Sequence, residues 1–173
     1  CPKYSEFFEF LTELHKARRI KLIDDKFNGN FSEWKNKLRN HPMCKEYLFF
    51  LDADELPNPI LIENLPLIIE LNPEVDVIGV PRANFVTGIT PEYIKQMGWR
   101  QDDKGRINYA DFQYRIMKNL PYLGWGGKVH ETIVGYKLRT ELPIGGEYDL
   151  LHVKSFEKQQ VQNLSYETGD YSK

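Results

Sequence analysis

The run YLFFL, Tyr47 to Leu51, places five apolar or aromatic residues in a row and leads at once into Asp52-Ala53-Asp54-Glu55. No polar position interrupts it, which is the pattern of a strand covered on both faces rather than one with a wet side. Strands of that kind belong to sheets that carry helices on either face, and there the ligand crevice lies beyond the carboxyl ends of the strands. Three carboxylates therefore stand where a ligand is expected. Asp52 and Asp54, separated by one small residue, can turn their oxygens toward one hard divalent cation, and that cation can bridge the phosphates of a nucleotide. A plainer possibility is that Asp52 or Asp54 caps a helix starting near Pro59.

The flanking segments supply the other elements. Phe7, Phe8, Phe10, Leu11 and Leu14 recur at helical spacing within Ser5 to Lys16, and RIKLIDD, Arg19 to Asp25, alternates like a short strand. FNGN is turn chemistry, and Ser32 is placed to cap a helix through Arg39, which His41-Pro42 ends. Pro66 divides the helical pattern from Pro59 to Leu71, so two short helices or a kinked one are expected. Strands are predicted at Val75 to Val86, bent or placed at an edge by Gly79 and Pro81, at Tyr109 to Met117, and at Tyr148 to Val153. Thr90-Pro91 opens a short helix, and Ser155 a polar one. Helices and strands alternate through the first half. The fold expected is a single α/β domain, three-layered and Rossmann-like, with a mixed, mostly parallel central sheet.

A chain of 173 residues can bury a proper core without disulfides, and Cys1 and Cys44 are too few and too isolated for a disulfide framework or a zinc site. The net charge of -2 gives no basic footprint, so nucleic acid is not an expected partner. No apolar run is long enough to span a bilayer, and CPKYSEFFEF lacks the form of a secretory signal, so a cytoplasmic protein is expected. The chain opens at Cys1 rather than Met, the mark of a fragment, a processed product or the ordered part of something longer, so further domains of a longer polypeptide are expected as partners.

FNGNFSEWKN, EYLFFLDADELPNP, DFQYRIMKN, GWGGKVHETI and DLLHV, in that order, resemble the pattern of glycosyltransferase family 2 and its relatives with the GT-A fold. The resemblance covers about Phe27 to Val153, and its specificity lies in the combination. It implies that Asp52 and Asp54 lie where a metal, Mn²⁺ or Mg²⁺, meets the diphosphate of a nucleotide-sugar donor, with Asp54 the direct ligand and His152 completing the site. By the same likeness Lys35 and Asn36 face the donor, which is a UDP sugar by family habit. Read from the residues, Asp25 with Asp24 ends a candidate strand that could reach the nucleotide, or else forms a solvated turn.

Inverting transfer of a sugar to a saccharide or glycoconjugate hydroxyl needs a carboxylate that takes the acceptor's proton. Glu131, after the aromatic and Gly-rich loop, is the candidate base, with Asp111 and Asp103 as rivals. Pairing of Glu131 with Arg115 or Lys128 is the structural alternative. Trp125 and His130 are candidate acceptor contacts, and Tyr122 and Trp99 further possible sugar platforms, although all of these are also ordinary packing material. The family's first strand, with its Thr/Asn-rich turn, has no counterpart here. Two other functions are compatible with these residues: a metal-dependent phosphoryl or nucleotidyl transferase, although no G-x-x-x-x-G-K loop is present, and a degenerate domain that binds saccharide or a partner without chemistry.

Overall fold

The computed structural model describes residues 2–23, 25–128 and 131–168, with side chains from residue 6 to 164. In chain order the elements are α1 (Pro2–Lys16), α2 (Phe31–Arg39), β1 (Tyr47–Phe49), β2 (Glu55–Pro57), α3 (Pro59–Glu70), β3 (Val77–Thr87), α4 (Pro91–Gln96), β4 (Ile107–Lys118), β5 (Gly124–Gly126), β6 (Thr132–Val134), β7 (Arg139–Glu141), β8 (Leu150–Ser155) and α5 (Phe156–Thr168). The main sheet runs β1-β4-β3-β8-β2, with β7 also on β3.

This is not the mostly parallel, three-layer sheet that the sequence implied. β4 lies antiparallel to both β1 and β3, and β2 antiparallel to β8; only β7 and β8 run parallel to β3. The apolar run of β1 is what misleads. It is an edge strand of three half-buried residues. Long β3 and β4 dominate the sheet, and the excursion between them, carrying α4, returns the chain antiparallel.

The two faces of the sheet are filled differently. Along β3 and β4, Ile78, Val80 and Ile116 join Leu61 and Ile68 of α3 in one core cluster, whereas the alternate residues Val77 and Met117 join Leu123, Trp125 and Ile133 in another. This is the two-residue period of a strand dividing its side chains between faces. The second face is closed by the β5–β6 hairpin and α2 instead of by a further helical layer. Asn36 of α2 holds that hairpin as a second backbone would: its Nδ2 donates to Trp125 O and its Oδ1 accepts from Trp125 N, both at 2.9 Å. A Cβ on Gly124 would lie 3.2 Å from the same Oδ1, so the neighbour must be small.

Local differences from expectation have local causes. Residues 19–23 form no strand, and Ile20 and Ile23 are exposed, because no neighbouring strand offers a ladder. The cap of α2 is Asn30, whose Oδ1 accepts from Glu33 N at 3.2 Å and also from the Ser32 hydroxyl at 2.9 Å. α3 continues through Pro66. Pro81 lies within central β3 and not at an edge, but beside it β7 ends at Gly79 and β8 begins at Arg82, so its missing N–H breaks no parallel ladder.

The link between β1 and β2 positions everything that follows. It crosses from one edge of the sheet to the other, four strand gaps, in six Cα steps from Phe49 to Glu55. Six steps reach about 21 Å when fully extended, and four gaps of a flat sheet cover about 19 Å. A turn closed by Glu55 N on Asp52 O at 3.0 Å shortens the segment further, so its ends meet only because the sheet curls.

Candidate functional site

Crossing the sheet brings the acids of the link to side chains of three strands, β4, β3 and β8. Asp52 meets Arg115 of β4, whose Nη2 donates to its Oδ2, while Lys35 of α2 places Nζ 3.2 Å from its Oδ1. Glu55 turns inward with a fully buried side chain and accepts from Arg115 Nη2 at 2.5 Å and Arg82 Nη1 of β3 at 3.1 Å. Asp54 stays at the surface of the cleft. Its Oδ2 lies 3.4 Å from Nε2 of His152 on β8 and 3.4 Å from Nζ of Lys158 in the first turn of α5. Neither Asp52 nor Asp54 caps α3; Asn58 does, its Oδ1 accepting from Ile60 N at 2.9 Å.

Charge keeps both carboxylates ionised. Burial alone would raise Asp52, but Arg115 and Lys35 outweigh it and hold the group below the usual carboxylate range. Burial likewise works against Asp54, and His152, Lys154 and Lys158 together pull it down. The His152 imidazole is lowered by burial, with Lys154 and Arg82 pushing the same way against the opposing pull of Asp54. At neutral pH this favours an uncharged ring.

Asp52, Asp54 and His152 line one cleft of about 700 Å³, together with Glu131, Trp125, Tyr114, Tyr136 and Arg139. Glu131 is held by Lys35, Nζ to Oε1 2.7 Å, so one ammonium bridges Asp52 and Glu131. The same Nζ lies 4.5 Å from the centre of the Trp125 ring, which is packed edge-on to Phe50 and only 6 % exposed. Trp125 is thus largely core material. The more open aromatic of the cleft is Tyr136, 37 % exposed.

A second cleft of about 280 Å³ shares Arg82, His152, Lys154 and Gln162 with the first and adds Asn84, Trp99 and Asp111. Asp111 has no oxygen to spare. Its Oδ2 accepts from Arg82 Nε at 3.0 Å, Arg82 Nη2 at 2.6 Å and Asn84 Nδ2 at 2.9 Å, and its Oδ1 from Gln113 Nε2 at 2.9 Å.

Of the residues singled out in the sequence, Asp52, Asp54, Lys35, Trp125, Glu131 and His152 come together in the larger cleft. Asn36 instead clamps the β5–β6 hairpin. Asp25 is an exposed partner of Lys37, Nζ to Oδ2 2.5 Å, and lines neither cleft. His130 and Asp24 lie outside the described residues. Glu55, the third carboxylate expected at the ligand crevice, instead turns into the core against two arginines, and Arg82 and Asn84 received no role from the sequence. A hint was present in the two arginines embedded in strand-like segments, PRANF and YRIM, since a buried guanidinium requires carboxylate partners.

Among the described residues no three His, Cys, Asp or Glu side chains are grouped to hold a metal ion. Asp54 and His152 nevertheless place a carboxylate oxygen beside an imidazole nitrogen, a donor pair suited to Mn²⁺. Cations that act on nucleotides are commonly bound through one or two protein ligands, with water and substrate phosphates making up the rest. The residues present fit a two-ligand site of this kind. No helix among the described residues is long and apolar enough to cross a membrane. Comparison of the chain with models of known protein families and with curated proteins gave no match.

Proposed function

We propose that the cleft transfers a sugar, with inversion, from a nucleoside-diphosphate donor to a hydroxyl of a saccharide or glycoconjugate acceptor, and that Asp54 and His152 hold the divalent cation the reaction requires. The observation that carries this proposal is the placing of the Asp54–His152 pair in the same cleft as Glu131. One end of the cleft offers ligands for a metal bound to phosphate, and a separate carboxylate is available to take a proton.

When bound, the cation supplies positive charge to the departing diphosphate. The chain's own groups do the rest. Lys35 stands between Asp52 and Glu131, and a donor phosphate entering beside Asp54 competes for its ammonium. Once Lys35 turns to the phosphate, Glu131 is free to accept the proton of the attacking hydroxyl. The acceptor oxygen bonds to the anomeric carbon as the bond from that carbon to the phosphate oxygen breaks, and the electron pair leaves with the nucleoside diphosphate. Tyr136 offers an open aromatic face to a sugar. Asp111, with every oxygen occupied, is replaced by Glu131 alone as the base.

The test is thermal unfolding of the protein with a panel of nucleoside diphosphates, with and without Mn²⁺. A ligand that binds only the folded state raises the melting temperature. Stabilisation by a nucleoside diphosphate, UDP being the expected one, only when Mn²⁺ is present supports the proposal. A flat response across the panel would leave a saccharide-binding or partner-binding domain without chemistry as the better account.

A further inference from the structure

Asn84 of β3 lies between Asp111 and His152. Its Nδ2 donates to Asp111 Oδ2 at 2.9 Å and its Oδ1 faces His152 Nδ1 at 2.7 Å. An amide side chain can be turned either way, but Asp111 can only accept, and Arg82 fixes it in place through two nitrogens. The amide is therefore oriented with its oxygen toward the imidazole. A carbonyl oxygen facing Nδ1 requires the proton on Nδ1. The neutral ring then has a bare Nε2, and that is the nitrogen 3.4 Å from Asp54 Oδ2.

We infer that Asp111 and Asn84 are positioning residues, a carboxylate–amide relay that fixes the His152 tautomer so that its Nε2 lone pair and the Asp54 carboxylate face the same point. Left to itself, an imidazole beside a carboxylate would carry its proton on the side of the carboxylate, because N–H to carboxylate is the stronger hydrogen bond. The relay prevents this, and it sets two acceptors against each other. That arrangement is unfavourable unless a cation lies between them. Fixing the tautomer of a metal-ligating histidine through its other nitrogen is a general device in metal sites. Here it acts through an intervening amide and not through direct contact of carboxylate and ring. Read from the sequence, Asp111 is a rival base and Asn84 has no role.

This inference rests on the metal site proposed above, but it is tested separately. Long-range proton–nitrogen correlation spectra of the metal-free full chain, at a pH where the ring is neutral, report the tautomer of each histidine. The chain has four, and His152 is assigned by its loss in His152→Gln. The expected wild-type result is a proton on Nδ1. In Asn84→Leu it should move to Nε2, toward Asp54, and Mn²⁺ affinity measured by calorimetry should fall about 10–100-fold. Asp111→Ala, which frees the amide to turn, should give a mixture. A wild-type proton on Nε2, or a tautomer unaffected by Asn84→Leu, would overturn the relay. If the wild type shows the expected tautomer but binds no Mn²⁺, the relay stands and the metal-dependent transferase falls.

Discussion

Lys35 Nζ lies 2.7 Å from Glu131 Oε1 at the boundary between α2 and the loop after β5, with the same ammonium 3.2 Å from Asp52. The proposed base is thus held by a cation that must let go before it can take a proton. Glu131→Gln keeps a side chain of the same shape but removes the proton acceptor. It should retain Mn²⁺-dependent stabilisation by the nucleoside diphosphate while transfer falls about 10²–10⁴-fold. Donor binding and product release measured on one preparation decide the matter, and a variant with full activity would eliminate Glu131 as the base.

Removing the ammonium itself has a different signature. The Lys35 side chain is largely buried, and Lys35→Ala strands the Glu131 carboxylate without its cation, whereas Asp52 keeps Arg115. The expected loss is about 3 kcal/mol in chemical denaturation. Glu131→Gln combined with Lys35→Ala should recover part of that loss, because the stranded charge is gone. Additive effects would show that the pair is not coupled.

Asp52 and Asp54 are separated by one residue yet should respond differently to substitution. Asp54 faces His152 and the exposed end of Lys158, whereas Asp52 completes the charge pair of buried Arg115. Asp54→Ala should abolish the Mn²⁺-dependent rise in melting temperature and leave the metal-free melting temperature little changed. Asp52→Ala should lower the metal-free melting temperature by several degrees. If the two variants behave alike, the division of labour along the link is wrong.

The contrast between those two acids marks how far the sequence could be read. The strands at β3, β4 and β8, the Thr90 cap of α4 and the Ser155 cap of α5 follow from local spacing and side-chain chemistry, and all are found. The meeting of Asp54 with His152 was expected from the family likeness, on residues almost a hundred positions apart. Sheet direction was not legible, because it depends on how the chain returns through residues 88–106 and on which strands pair. The saturation of Asp111 was hidden for the same reason. It depends on Arg82 standing opposite Asp111 in the β3–β4 register, with Asn84 two residues further along. RIKLIDD shows the converse limit: alternation favours a strand, but a strand without a neighbour has no ladder to join.

Tyr114 provides a pH test independent of the metal site. Burial raises its phenol, and the hydrogen bond from its hydroxyl to Glu141 Oε1, 2.7 Å, adds to this, so that it is pushed up to about 12 from an ordinary 10.0. A group whose pKa is higher folded than unfolded contributes stability that is complete below the unfolded value and disappears as pH rises through the folded one. The contribution of Tyr114 should therefore be intact below pH 10.0 and fade toward about 12. Denaturant unfolding across that range should show a stability difference between wild type and Tyr114→Phe that shrinks with rising pH. A constant difference would mean that the Glu141 contact does not discriminate between phenol and phenolate.

The closure of the cleft depends on one backbone position in the hairpin that carries Trp125. Gly135 follows β6 at φ +88°, and a Cβ there would lie 2.1 Å from the carbonyl oxygen of Tyr122. Gly98 has a similar conformation, φ +65°, but open space around it. Alanine at Gly98 should cost only the left-handed backbone term, about 1 kcal/mol. Alanine at Gly135 bears that cost and must also push the loop from Tyr122 to Leu123 off β6, so its destabilisation should exceed that of Gly98→Ala by at least 2 kcal/mol, on the order of an overpacked core site. Because the displaced segment leads into Trp125, on which Lys35 rests, the variant should also weaken donor binding at temperatures where it remains folded. Equal destabilisation by the two substitutions would show that the hairpin gives way freely, and that the wall of the cleft it forms is not fixed by this contact.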